Sequence, residues 1–243
     1  NLLNMKKLIL PLLLFLASSQ VFSQGFISSV DDENMSLLSN QPAVVVLASG
    51  ETLNGKFWSG SVVNGYLNKV TIKNDKGEKI KLNPEDISRL SVKASTMAKL
   101  TMGMESLGSL SEITDANFDE IVNREYIIFE TAMRHKKSGK LRLMQLLNPG
   151  FDSEIKVYAD PNAKETAGLG VGGIKVTGGD AKSYLFVING EKSILVKKGD
   201  YKKMFKVLYG KCPEMMKVFT GNKIKWEDAA AHVFAFDQVC GKK

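Results

Sequence analysis

"PAVVVLASGETLNGKFWSGSVVNGYLNKVTIKNDKGEKIKLNPEDISRLSVK", residues 42–93, carries the pattern that decides the fold. Its first apolar run, AVVVLA, is rich in β-branched residues and is closed by Ser49-Gly50. GKFWSGSVVNG and LNKVTIK follow, the second running into Asn74-Asp75-Lys76-Gly77, a turn by composition. EKIKL alternates polar and apolar residues, Asn83-Pro84-Glu85-Asp86 makes a corner, and ISRLSVK sets Ile87, Leu90 and Val92 as its apolar members. Branched side chains suit a pleated surface, while glycine, proline and asparagine punctuate it. Five short strands separated by turn chemistry predict a small antiparallel barrel over 42–93.

Upstream, Met5-Lys6-Lys7 precedes an apolar run over 8–16 and then small and polar residues. A basic start, a short greasy middle and a small residue before the cut form the layout of a secretory signal peptide. Residues 1–23 are expected to be that signal, cut after Ser23, with 1–4 lying ahead of the true start at Met5. The run falls short of the about 20 apolar residues a bilayer span needs. No cysteine follows it, so acylation there is not expected. The mature chain is thus expected to be exported, periplasmic or extracellular, soluble, not an N-terminal lipoprotein and without a transmembrane segment. Residues 24–41 read as a flexible lead-in to the barrel.

The sequence has 33 Lys and Arg against 26 Asp and Glu, a charge of +7; loss of Lys6 and Lys7 with the signal leaves 31 against 26, or +5. The lysines are spread along the chain. In sequence they form no stripe of the kind nucleic acid selects, so no nucleic-acid partner is expected. A hydrophobic content of 44% is that of an ordinary globular protein.

Residues 94–123 read as a connector, rich in Ser, Thr and Met and broken by Gly103 and Gly108. Met97, Met102 and Met104 are the thioethers a soft metal favours. No Cys or His lies nearby to complete a site, and methionines also fill irregular connectors.

From 124 onward strand signals return, and 124–243 is expected to form an antiparallel β unit with a helical tail. EYIIFETAMR and KLRLMQLLN flank the basic tip HKKSGK. KSYLFVI and EKSILVKK are joined through Asn189-Gly190, the pair that fits a two-residue type I′ turn. Ahead of both, Gly168, Gly170 and Gly173 fall in a G-x-G-x-x-G pattern. That fingerprint holds a pyrophosphate only when it opens a helix. Here a strand and a second glycine pair follow, so no nucleotide cofactor is expected.

The tail changes period. Asp200 can N-cap a helix with Tyr201, Met204, Phe205 and Leu208 on its apolar side and Gly210 as its stop. Pro213 suits the first position of a second helix. Trp226, Ala229, Val233, Phe236 and Cys240 recur at three- and four-residue steps, one stripe to lie against the sheet. Cys212 and Cys240 are the only cysteines. Export favours a structural disulfide between them; two buried thiols, or a Cys212 activated at its helix start, are the alternatives.

Two stretches carry a resemblance. The order VLASGETLNGKF…KVTIKNDKGEKIKL…DISRLSV resembles the Sm-like and SH3-like small barrels. The Arg-Gly pair with which Sm proteins help to hold uridines does not occur, so the resemblance implies the barrel shape and no RNA binding. SYLFVINGEKSILVKKGDYKKMFKVLYGKCPEM, followed by IKWEDAAAHVFAFD, is similar to the ends of small exported proteins of Bacteroidota. It implies location and layout, and no activity.

The chemistry-bearing residues are few. His135 sits in the basic hairpin tip, and His232 lies one helical turn after Asp228, a spacing that can orient an imidazole. No H-E-x-x-H or G-x-S-x-G occurs. Glu85-Asp86 reads as turn and cap chemistry. The fold class expected is α+β, mainly antiparallel β, with helices packed on the second sheet. The function expected is a non-catalytic envelope protein binding a protein, a glycan or an apolar ligand through a sheet face, with Phe57, Trp58 and Tyr66 as the aromatic candidates. The rival is an envelope hydrolase or transferase using carboxylates or the Asp228–His232 pair. Neither a cofactor nor a metal is expected.

Overall fold

The structure is a computed structural model and describes residues 26–27, 29–30, 34–64, 66–96, 98, 125–133, 141–163, 170–171, 174–175, 183–190 and 193–241. The predicted strands of 42–93 are all present: β1 (Pro42–Leu47), β2 (Thr52–Val63), β3 (Tyr66–Lys73), β4 (Lys79–Leu82) and β5 (Ile87–Lys93). Beyond them come β6 (Tyr126–Met133), β7 (Leu141–Leu146), β8 (Ile155–Ala159), the short antiparallel pair β9 (Gly170–Val171) and β10 (Ile174–Lys175), then β11 (Ser183–Ile188) and β12 (Ile194–Lys197). Three helices close the chain, α1 (Tyr201–Tyr209), α2 (Pro213–Val218) and α3 (Ala229–Cys240). The class is α+β and mainly antiparallel β.

One ten-stranded sheet runs in the order β12-β11-β8-β7-β6-β5-β1-β2-β3-β4. It curls until β3 meets β7, with Leu67 opposite Leu143, and so closes a six-stranded barrel from β1, β2, β3, β5, β6 and β7. The barrel is therefore not completed within 42–93; the hairpin β6–β7 supplies two of its staves. At the seam β3 divides its free edge, giving Leu67 to β7 and Val70 to Lys73 to β4. β7 likewise passes on to β8 at Leu146, which leads the sheet into its second part.

Local chemistry explains the shape. The twelve-residue β2 must bend to stay in the barrel, and Gly60 lets it: a Cβ there would lie 2.6 Å from Leu67 Cδ1 and 2.9 Å from Phe57 Cζ. At the β11 corner Asn189 and Gly190 both take positive φ, 51° and 72°, as a type I′ turn requires. Asn83 and Asp86 cap the corner before β5, Asp86 Oδ2 accepting from the Asn83 amide at 2.8 Å. Glu85-Asp86 is turn chemistry, as read from the sequence.

Period-2 alternation sorts the side chains into cores. Val45, Phe57, Ile72, Leu90, Val92, Phe129 and Leu143 fill the barrel. The stretch 24–41, expected as a flexible lead-in, is tied down where it is described. The Ile27 amide donates to the Leu147 carbonyl, the Val30 amide to Gln145 Oε1, and Leu38 is fully buried in the barrel core. On the second part of the sheet Val157, Phe186 and Val196 meet Tyr201, Phe205, Trp226, Val233 and Phe236 from the tail. The predicted stripe of α3 thus packs as expected. Asp200 occupies the N-cap position of α1 without bonding through its side chain. Cys212 and Cys240 sit at disulfide distance, with Cα atoms 5.9 Å apart. That link joins the start of α2 to the end of α3, and closing such a loop stabilises a fold by about 3–4 kcal/mol in the chain-entropy picture.

Candidate functional site

The three aromatic candidates do not share a surface. Phe57 is 1% exposed and belongs to the barrel core. Its neighbour Trp58 points the other way, as adjacent strand residues must. Tyr66 is buried in a separate cluster with Ile128, Met144, Leu146 and Tyr158, and Arg142 lies over its ring at 5.6 Å. Only Trp58, half-buried on the outside of β2, reaches an open face.

That face is where the strand register has its largest effect on charge. Lys56 of β2 lies opposite Lys73 of β3, and Lys73 lies opposite Lys79 of β4. Three ammonium-bearing side chains therefore stand in one row across three strands, where neighbours are about 5 Å apart. The next outward row holds Ser59, Thr71 and Lys81, and the one after it Ser61 and Lys69. The register slips between Phe57 and Ser59, which leaves Trp58 outside the ladder. Its ring takes the Lys79 ammonium at 4.0 Å and the Lys73 ammonium at 5.2 Å. These cation–π contacts hold the lysines without neutralising them. The described ion pairs all lie elsewhere, so among the described residues no carboxylate stands within 4.0 Å of these lysines. Beside the row lies a shallow hollow of about 330 Å³ lined by Ser59, Ser61, Thr71 and Asn83 and rimmed by Lys69 and Lys81.

The second charged constellation is of the opposite kind. Glu130, in the middle of β6, is buried, and both its oxygens are bonded. Oε1 takes Arg89 at 3.2 Å, directly across the ladder; Oε2 takes Lys156 at 2.7 Å and the Tyr158 hydroxyl at 2.8 Å, both from β8. Lys156 also reaches Asp152 at 3.9 Å. Burial holds the Asp152 carboxyl above the usual carboxylate range, against the opposing charge of Lys156. Burial and then the Glu130 charge push the Tyr158 phenol well above its ordinary value, so it stays a donor. The cluster ties the barrel to the second part of the sheet. A lone acid inside the apolar run YIIFE was the sequence signal for it.

His232 is a core residue. It is fully buried, packed edge-on against Phe205 and Phe219. Its Nε2 lies 3.2 Å from the Lys223 carbonyl and its Nδ1 2.8 Å from the Tyr201 hydroxyl. A carbonyl only accepts, so Nε2 carries the proton, Nδ1 accepts from Tyr201, and Tyr209 donates in turn to Tyr201 at 3.2 Å. No ring nitrogen is left for the Asp228 carboxylate; the two residues meet through the backbone, His232 N–H donating to the Asp228 carbonyl. Burial holds the imidazole below its ordinary value, against the Asp228 charge and the Lys223 carbonyl. It is a neutral spacer in an aromatic core.

The remaining candidates are quickly placed. Glu214 Oε2 lies 3.7 and 3.6 Å from the sulfurs of Cys212 and Cys240, which at disulfide distance face each other rather than a metal. Gly170 lies in the β9–β10 pair, while Gly168 and Gly173 lie outside the described residues, as do Met97, Met102, Met104 and His135. Among the described residues no helix is long and apolar enough to cross a membrane. Compared with protein-family models, curated proteins and solved structures, the chain matches none. Function is therefore argued from geometry alone.

Proposed function

We propose that this is an exported, non-catalytic binding protein that meets its ligand with the outer face of β2, β3 and β4. The observation that carries the reading is the Lys56–Lys73–Lys79 row, aligned by register and without a carboxylate within 4.0 Å among the described residues. Like charges directly opposite on adjacent strands oppose folding. An anionic partner supplies the missing countercharge, and its approach is steered by the same field. Export is supported by the basic–apolar–small order of 1–23 and by the cysteine pair at disulfide distance, which suits an oxidising compartment. The Sm-like, SH3-like and Bacteroidota resemblances stand beside this reading and do not carry it.

The rival reading, a hydrolase or transferase, would draw on Glu130 with Asp152 or on His232. Glu130 is used up by three partners, and both ring nitrogens of His232 are taken. The binding reading is the better supported. Amide hydrogen exchange, with and without a solubilised envelope fraction, tests it. Slowed exchange confined to β2–β4 is expected; unchanged exchange there, or protection on the helical side, contradicts it. N-terminal sequencing of periplasmic protein tests export. A chain starting at Gln24 is expected, and cytosolic protein with 1–23 intact contradicts it.

A further inference from the structure

We infer that the ligand of this face is an acidic polysaccharide whose sugars carry carboxylates. The inference rests on the binding reading above and adds the chemistry of the ligand. The charges on the face are all lysine. An ammonium is a compact point charge with three donors, able to meet single anionic groups spaced along a chain; arginine, whose planar fork clamps one carboxylate or phosphate bidentately, is absent from the outward positions of β2–β4. Between the lysines stand Ser59, Thr71 and Asn83 at the hollow, short donors and acceptors that suit sugar hydroxyls. The row Lys56–Lys73–Lys79 spans about 10 Å, two inter-strand spacings, and Lys81 lies one outward position further along β4. An extended chain laid across the strands meets these charges in succession.

The same features disfavour the other polyanions. Single-stranded nucleic acid is held by several free aromatic faces along a basic groove. Trp58 is the one aromatic at the described outward positions of this face, and its ring already carries two ammonium groups. An anionic lipid surface is held by lysines with large apolar side chains beside them. Here Trp58 is taken up by Lys73 and Lys79, and the next outward positions are the hydroxyls of Ser59, Thr71 and Ser61.

Calorimetric titration of the chain lacking 1–23 with polygalacturonate, and with dextran as the neutral polymer, tests the inference. Binding to polygalacturonate and none to dextran is expected, with the binding lost at about 1 M salt, where charges are screened within about 3 Å. Lys79→Gln/Lys81→Gln should weaken binding by about tenfold or more, while Lys202→Gln/Lys203→Gln, an equal charge change on exposed positions of α1, should stay within about twofold. Thermal unfolding checks each variant, and Lys56→Gln on β2 replaces the β4 pair if that pair unfolds. Equal weakening by the two double variants would reduce the effect to net charge and overturn the inference. Tighter binding to single-stranded DNA or to phosphatidylglycerol vesicles would give the face to those partners. Failure of polygalacturonate to bind, with β2–β4 still protected by the envelope fraction, overturns the polysaccharide and leaves the binding reading standing.

Discussion

Glu130 and the lysine row are two ways for one sheet to carry charge. Around Glu130 each charge has its opposite in reach: Arg89 across the ladder, Lys156 and Tyr158 from β8, and Asp152 behind Lys156. Across β2, β3 and β4 three lysines stand in one row, with the Trp58 ring beside Lys73 and Lys79. The first arrangement is complete within the protein and joins two parts of the fold. The second has no carboxylate within 4.0 Å among the described residues, and on the reading proposed above an anion completes it.

The contrast breaks if the Glu130 cluster contributes nothing to stability. Glu130→Ala removes the partner of two cations and the acceptor of a buried phenol. It should cost about 3 kcal/mol, the lower end for breaking a buried pair, because Arg89 and Lys156 are about a third exposed and can turn to water. Urea unfolding measures it. Tyr158→Phe takes only the hydroxyl and should cost about 1.5 kcal/mol, the range of a hydrogen bond to a charged group.

Acid probes an uncharged site. The folded His232 binds its proton less readily than an unfolded histidine of pKa about 6.5. Its share of stability is therefore full above that value and is lost as pH falls through the window below it. The urea midpoint should drop between about pH 7 and pH 5, and His232→Gln should flatten that slope. On the open face the expected effect on stability is smaller. Trp58→Leu should cost about 0.5–1 kcal/mol for its cation–π contacts, read by thermal unfolding, while weakening ligand binding more than that loss implies.

The strands of 42–93, the Asn189-Gly190 turn and the tail helices were legible because each is written in local spacing. Barrel closure was not. It depends on Leu67 of β3 meeting Leu143 of β7, a contact between stretches that each look complete alone. The candidate face was hidden for a related reason. Lys56, Lys73 and Lys79 are scattered in sequence and give no stripe; antiparallel register gathers them, and register is set by turns and bulges rather than by composition. The alternation in EKIKL held half the signal, since it places Lys79 and Lys81 on one side of a strand. Phe57 and Trp58 part because they point to opposite faces of β2, and Tyr66 is taken into its own buried cluster. His232 was visible as a residue, but its tyrosine and carbonyl partners come from α1 and from the turn before α3.

The most direct test is the thermal midpoint of Lys56→Gln against the unchanged protein at low ionic strength. Lys56 stands opposite Lys73 and is not one of the two lysines over the Trp58 ring, so neutralising it relieves repulsion in the row without removing those cation–π contacts. The variant should be more stable by about 0.5 kcal/mol, and added salt should shrink the gain. A variant less stable than the parent would mean that the lysine is already paired within the fold, and the claim of an open, anion-seeking face would be lost.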